Sequence, residues 1–156
     1  MSPYPSAFDP AHLAELSGLE SLQMMIEGKL PGPPISRTMG YTLHAVEEGR
    51  VVFRGAPSKE MTNPMGTVHG GWYGTLLDSA MACAVLTGVP KGSVYTTLEY
   101  KVNILRGIPI GMEIDCIGIT DHVGRSTGVS HGEIRGTEDG KLYAVGSTTC
   151  IIMKVA

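Results

Sequence analysis

The longest apolar run of the chain lies in its middle. From Trp72 to Leu86 there is no proline, there are few β-branched residues, and Leu, Met and Ala occur on every side. Such a segment predicts a helix buried nearly all round. Asn63-Pro64 and Gly66 keep the preceding stretch a loop, and His69-Gly70-Gly71 turns it into the helix. After the helix the period changes. Residues 95–105 alternate, with Thr96, Leu98, Tyr100, Val102 and Ile104 on one face. Thr97, Glu99, Lys101 and Asn103 fall on the other, which predicts a strand. Three more strands are expected at 111–121, 125–136 and 141–153, separated by His122-Val123-Gly124 and Glu138-Asp139-Gly140. Ahead of the helix, 35–46 and 50–56 read as extended runs around Glu47-Glu48-Gly49, a hairpin.

The N-terminal part follows another pattern. Residues 1–8 show no periodicity, and Asp9-Pro10 is a helix start with Leu13 and Leu16 on one face. Ser17-Gly18-Leu19-Glu20 repeats the signal as a capping box. A second short helix to about Gly28 is expected from it, with Leu19, Leu22, Met25 and Ile26 on one stripe. Pro31-Gly32-Pro33-Pro34 ends it as a stiff connector. The expected organisation is one domain over 1–156, with 1–34 a docked helical arm and 35–156 the core. In order the chain reads helical arm, two strands, one buried helix and four strands. An all-round apolar helix is buried in such a chain by an antiparallel sheet wrapped about it. That α+β architecture is the hotdog fold.

Composition narrows the function. The 156 residues, 42% of them hydrophobic, suffice for a real core. A net charge of −3 with scattered basic residues points away from nucleic acid and membrane surfaces. MSPYPSAFDP has neither a basic start nor an apolar core, so no secretory leader is expected. Cys83, Cys116 and Cys150 are odd in number and lack CxxC spacing; they read as reduced small hydrophobes of a cytoplasmic protein. The 21 glycines favour a turn-rich sheet over a helical bundle.

One residue breaks the central helix. Asp78 sits among apolar neighbours, where a dry unpaired carboxylate costs several kcal/mol, by order of magnitude. Gly74 and Ala82, one turn away on either side, leave space over it. His69-Gly70-Gly71 offers free N–H groups at the positive end of the helix, and glycine allows close approach of a substrate oxygen.

Together these residues resemble a known family. Asn63-x-x-Gly66-Thr67-x-His69-Gly70-Gly71, with Asp78 and then Ala80, is similar to the signature of hotdog thioesterases of the PaaI and Them2 type. Residues 97–106 resemble that family's strand after the helix, and Gly124-Arg125-Ser126 its later turn. Gly107, where the family usually has proline, and the long arm depart from it. The resemblance implies an acyl-CoA thioesterase that releases free acid and CoA. It implies Asp78 as nucleophile or general base, the Gly70 N–H polarising the thioester carbonyl, Asn63 orienting thioester or water, and Thr97 placing water. His69 is implied at the site, as loop holder or proton carrier. Gly71 is a candidate for substrate contact, and Arg106 and Arg125 for the CoA phosphates, though surface arginines read equally as a solvated face. No cofactor is implied, coenzyme A being part of the substrate. The five histidines lack ligand spacing, so no metal is expected.

Distance adds a partner. Asp78 lies seven to eight residues beyond the glycines, about 10–12 Å along a helix, whereas reacting atoms approach to roughly 3–3.5 Å. A second subunit is therefore expected to complete each site, in a homodimer or a homotetramer built as a dimer of dimers. Trp72, Tyr73 and the methionines of the arm, Met24 and Met25, are candidates for lining an acyl pocket. A non-catalytic acyl-CoA-binding sensor on the same fold is the alternative, and Asp78 with Asn63 argues against it. A hotdog hydratase would want a differently arranged Asp–His pair.

Overall fold

The computed structural model describes residues 15–155. The helix expected from Asp9 falls, up to residue 14, outside that range. Helix α1 (Gly18–Ile26) begins at the expected capping box: Ser17 Oγ accepts from the Glu20 N–H, and Glu20 accepts from the Ser17 N–H at 2.7 Å. Helix α2 (Pro34–Met39) then stands where the sequence pattern predicts a strand from Ile35. The reason is local. Pro34 occupies the first helical position, for which its fixed φ is preorganised, and Gly40 closes the helix in the left-handed region at φ 69°. Only from Tyr41 is the chain extended.

Six strands follow: β1 (Tyr41–Glu47), β2 (Arg50–Gly55), β3 (Ser93–Ile104), β4 (Ile114–Val123), β5 (Thr127–Gly136) and β6 (Leu142–Lys154). They form one antiparallel sheet in the order β1-β2-β4-β5-β6-β3, so β1 and β3 are its edges. Helix α3 (Gly70–Leu86) lies in the curve of this sheet, with Leu76, Leu77, Ala80, Met81, Ala84 and Val85 wholly buried. This is the hotdog arrangement. The sheet reaches the helix closely because glycines face it: a Cβ at Gly118 would lie 2.1 Å from the Ala80 carbonyl oxygen. Ser130 Oγ donates to the Met81 carbonyl at 2.7 Å, tying β5 to the helix backbone.

Strand β3 does not alternate as its sequence suggests. Thr97 pairs with Cys150 and Glu99 with Thr149, so Leu98 is an extra residue bulged out of the ladder. Each side of the bulge has its own phase. Tyr95 and Thr97 turn toward the helix before it; Tyr100 and Ile104 approach Gly74 and Gly70 after it. Simple period-two counting puts Thr97 on the face opposite Tyr100 and Ile104. The bulge brings all of them to the helix side.

Candidate active site

Asp78 is half-buried on α3, at the wall of a cavity of about 530 Å³. Thr97 Oγ1 donates to its Oδ1 at 2.9 Å. Burial raises the carboxyl above its ordinary value, and the Thr97 bond opposes that shift without cancelling it. A carboxylate tuned in this direction is a better base near neutral pH. The neighbouring Ser79 Oγ lies 2.8 Å from the Tyr41 hydroxyl, which burial pushes up to about 12. On the next turn, burial pushes the Cys83 thiol up to about 12, and the Tyr95 hydroxyl beside it pulls the other way. A thiol so raised carries almost no thiolate.

The cavity extends from Asp78 along α3 through Ala82 and Cys83 to Leu86. Opposite walls come from α1 (Leu22 and Met25), the segment leading into α2 (Gly32 and Pro33) and Ile35 of α2 itself. Of the two arm methionines, Met25 lines it and Met24 does not. Trp72 and Tyr73 do not line it either. Trp72 Nε1 donates to the Met39 carbonyl at 2.9 Å, and the Tyr73 hydroxyl accepts from the Ile108 N–H at 2.9 Å, so both serve the core.

The loop before α3 is built separately. Asn63 Oδ1 accepts from the Met65 and Thr67 N–H groups at 3.0 and 3.3 Å, while Nδ2 donates to Thr67 Oγ1 at 2.8 Å. These bonds close an Asx-type turn. His69 caps α3: its Nδ1 accepts from the Gly71 N–H at 2.8 Å. The imidazole is therefore unprotonated at Nδ1, and the Gly71 N–H is occupied by it. The cap leaves Gly70 exposed at the helix start, with Ile104 Cδ1 3.6 Å from where a Cβ would be.

Within one chain the expected site residues fall into two groups. Asp78 and Thr97 share the large cavity; His69 and Gly71 border a second one of about 500 Å³, and neither Asn63 nor Gly70 lines the first. From Gly70 to Asp78 the helix rises about 12 Å. Arg106 and Arg125, both exposed, also lie apart. Arg106 follows β3, its N–H bonded to the Tyr143 carbonyl near the start of β6. Arg125 sits in the β4–β5 turn beside Ser126, whose carbonyl bonds the Ile152 N–H near the end of β6. The sequence pattern missed the pairing of Ser79, on the cavity wall, with the buried Tyr41; only the fold brings these positions, 38 residues apart, together. Among the described residues, no three His, Cys, Asp or Glu side chains form a metal-ion set, and no helix is long and apolar enough to cross a membrane.

Known proteins share this construction. The thioesterase superfamily matches residues 65–143. Acyl-coenzyme A thioesterase 13 of Homo sapiens is 27% identical over 134 residues, covering 83% of this chain and 93% of its own. A Caenorhabditis elegans protein named as an esterase is 30% identical over 132 residues, 81% of this chain and 76% of that one. A crystal structure from Ralstonia eutropha JMP134, described as a thioesterase related to phenylacetic acid degradation, superposes with a TM-score of 0.75 at 28% identity. It covers 83% of this chain and 98% of its own. With the helix-borne carboxylate at a cavity of ligand size, these matches make the chain a member of the thioesterase superfamily, a thioester hydrolase of the PaaI and Them2 type.

Proposed function

We propose that the protein is an acyl-CoA thioesterase whose site is completed across a two-fold subunit interface. The observation that carries this is Asp78, held by Thr97 at the cavity wall with its carboxyl raised by burial. The human relative's name supplies the acyl-CoA class. Water attacks the thioester carbonyl as Asp78 takes its proton; the C–S bond then breaks, and the proton passes to the departing CoA sulfur. In the nucleophilic route the Asp78 carboxylate attacks first and breaks the C–S bond, expelling the CoA thiolate; water then cleaves the anhydride to free acid and the restored carboxylate, and a proton from that water passes to the CoA sulfur. Both routes use the same carboxylate. The partner's Gly70 N–H receives the developing oxyanion, and Asn63 of that subunit orients thioester or water, its Nδ2 keeping one hydrogen beyond the bond to Thr67. His69 acts as the cap of the helix. The chemistry calls for no metal or redox cofactor.

The subunit interface follows from β3. It is an edge strand with Leu98 59%, Ile104 47% and Tyr100 45% exposed, a template for pairing with another copy. Antiparallel apposition of two β3 strands places the Arg106 end of one subunit at the Arg125 end of the other. A pair of arginines for the CoA phosphates is thus assembled from two chains. Two such dimers would make the homotetramer. Three free cysteines suit the cytoplasm.

Complementation tests this. Asp78→Asn alone lowers turnover by at least about 10²-fold, and Asn63→Ala is also impaired. Subunit exchange between the two variants gives mixed dimers in which one site carries both lesions and the other none. Random pairing then restores about a quarter of wild-type activity. Heterodimers confirmed by mass but inactive would place both residues in one site of one chain. An Asp78→Asn variant with full activity would remove the catalytic role and leave an acyl-CoA-binding module.

A further inference from the structure

Ser79 follows Asp78 directly in the chain, and both line the large cavity. Among the described residues its hydroxyl has one partner, the Tyr41 hydroxyl at 2.8 Å. Two hydroxyl groups carry two hydrogens, and the bond between them uses one. The other has no acceptor among the described residues. Which oxygen holds it follows from the surroundings. Tyr41 is buried, packs edge-on against Phe53 and does not line the cavity. Burial pushes its hydroxyl up to about 12, so it stays a neutral phenol with a hydrogen to give. A phenol is a stronger acid than an aliphatic hydroxyl and hence the better donor. Tyr41 therefore donates to Ser79, and Ser79 turns its own hydrogen toward the cavity. Accepting from the phenol polarises the Ser79 hydroxyl and strengthens the bond it can donate.

The protein supplies no acceptor for that hydrogen. Hydroxyls within helices commonly donate to the carbonyl one turn back, as Thr75 does to Gly71 at 2.8 Å. Ser79 is held by Tyr41 instead. The Asp78 carboxylate accepts from Thr97, and among the described residues no bond joins it to Ser79. The acceptor is thus one that enters the cavity. A plain methylene chain laid over Ser79 would cover the hydroxyl without giving it a partner, which is unfavourable. An oxygen on that chain restores the bond. Its position follows from the sequence: successive Cα atoms are about 3.8 Å apart, so a chain with its carbonyl at Asp78 carries its first carbons past Ser79.

We infer that Ser79 makes this site selective for acyl-CoAs with an oxygen, hydroxyl or oxo, on one of the first carbons beyond the thioester carbonyl. Ser79 is then a specificity-determining residue, and Tyr41 a positioning residue that acts through it. This rests on the reading of the cavity as the acyl site of a thioesterase, with the carbonyl at Asp78.

The test compares kcat/KM for butyryl-CoA with that for 2-hydroxybutyryl-CoA, 3-hydroxybutyryl-CoA and acetoacetyl-CoA. At least one oxygenated substrate is expected to exceed butyryl-CoA by roughly tenfold, the scale of one hydrogen bond to a partly buried group. In Ser79→Ala that ratio falls severalfold. The intrinsic reactivity of each thioester is the same in both proteins, so the fall in the ratio reports Ser79. Tyr41→Phe lowers the ratio as well, because Ser79 is then free to donate to the Thr75 carbonyl. A folding defect would instead lower all four substrates together. The inference is overturned by a wild type that favours no oxygenated substrate, by a preference that survives Ser79→Ala, or by an equal loss on every substrate in that variant. A ratio untouched by Tyr41→Phe removes the positioning role of Tyr41. Binding of CoA thioethers, which cannot be hydrolysed, separates this from the hydrolase reading. Suppose no acyl-CoA is turned over, yet S-(2-hydroxybutyl)-CoA or S-(3-hydroxybutyl)-CoA binds about tenfold tighter than S-butyl-CoA. If Ser79→Ala then abolishes the difference, the hydrolase reading fails and the Ser79 donor stands. Equal thioether affinities in that case sink both.

Discussion

Gly70 and Gly118 both face the space around α3, and they are glycine for different reasons. A methyl group at Gly118 would meet the Ala80 carbonyl oxygen at 2.1 Å, where neither strand nor helix backbone can yield cheaply. At Gly70 the nearest atom to such a methyl is Ile104 Cδ1 at 3.6 Å, an ordinary contact. The middle of the helix therefore needs glycine in the sheet for packing. The start of the helix has no such steric need within its own chain. The proposed oxyanion role would give Gly70 a different reason: an exposed N–H with no Cβ in the way of a substrate oxygen.

The contrast predicts opposite phenotypes. Gly118→Ala is expected to be the most damaging change to the fold, forcing β4 away from α3. Overpacking of this kind costs about 3 kcal/mol, or roughly 6–12 °C in Tm for a chain of this size. Thermal melting checks it, and an unchanged Tm would show that the sheet is less tightly seated than the contact implies. Gly70→Ala is expected to melt near the wild type while losing about 10²-fold in kcat, since a small displacement of the reacting carbonyl suffices for that. Unfolding of this variant would move Gly70 into the same class as Gly118 and remove the support for its oxyanion role.

Smaller effects concern the tuning of Asp78. Thr97→Val removes the bond that opposes the upward shift of the carboxyl. The acid limb of kcat/KM, already above the ordinary aspartate range, should move to still higher pH, so that activity is lost on the acid side and retained at high pH. A pH profile identical to the wild type would show that Thr97 does not act through Asp78. The smallest expected change is in stability. Because folding raises the pKa of Asp78, the native state binds the proton more readily, and stability falls as pH climbs from the unfolded to the folded value. Asp78→Asn should therefore melt slightly above the wild type at neutral pH, with the gap closing in acid. Equal melting temperatures at neutral pH would mean that water reaches the carboxylate freely.

Much of this molecule was legible in its sequence because the signals are local. The capping box at Ser17 and the all-round apolar run of α3 act through neighbours a few residues apart, as does the Gly49 turn, whose φ is 74°. Asp78 stood out for the same reason, as a charge in an apolar helix. Residues 35–40 were misread because Pro34 and Gly40 frame a helix too short to show a period. Tertiary structure decided the rest. The bulge at Leu98, which turns Thr97 toward Asp78, arises in pairing with β6, about fifty residues on. The Tyr41–Ser79 contact and the arm's wall over Leu86 likewise depend on how far apart the elements pack, and a linear pattern carries no information about that distance.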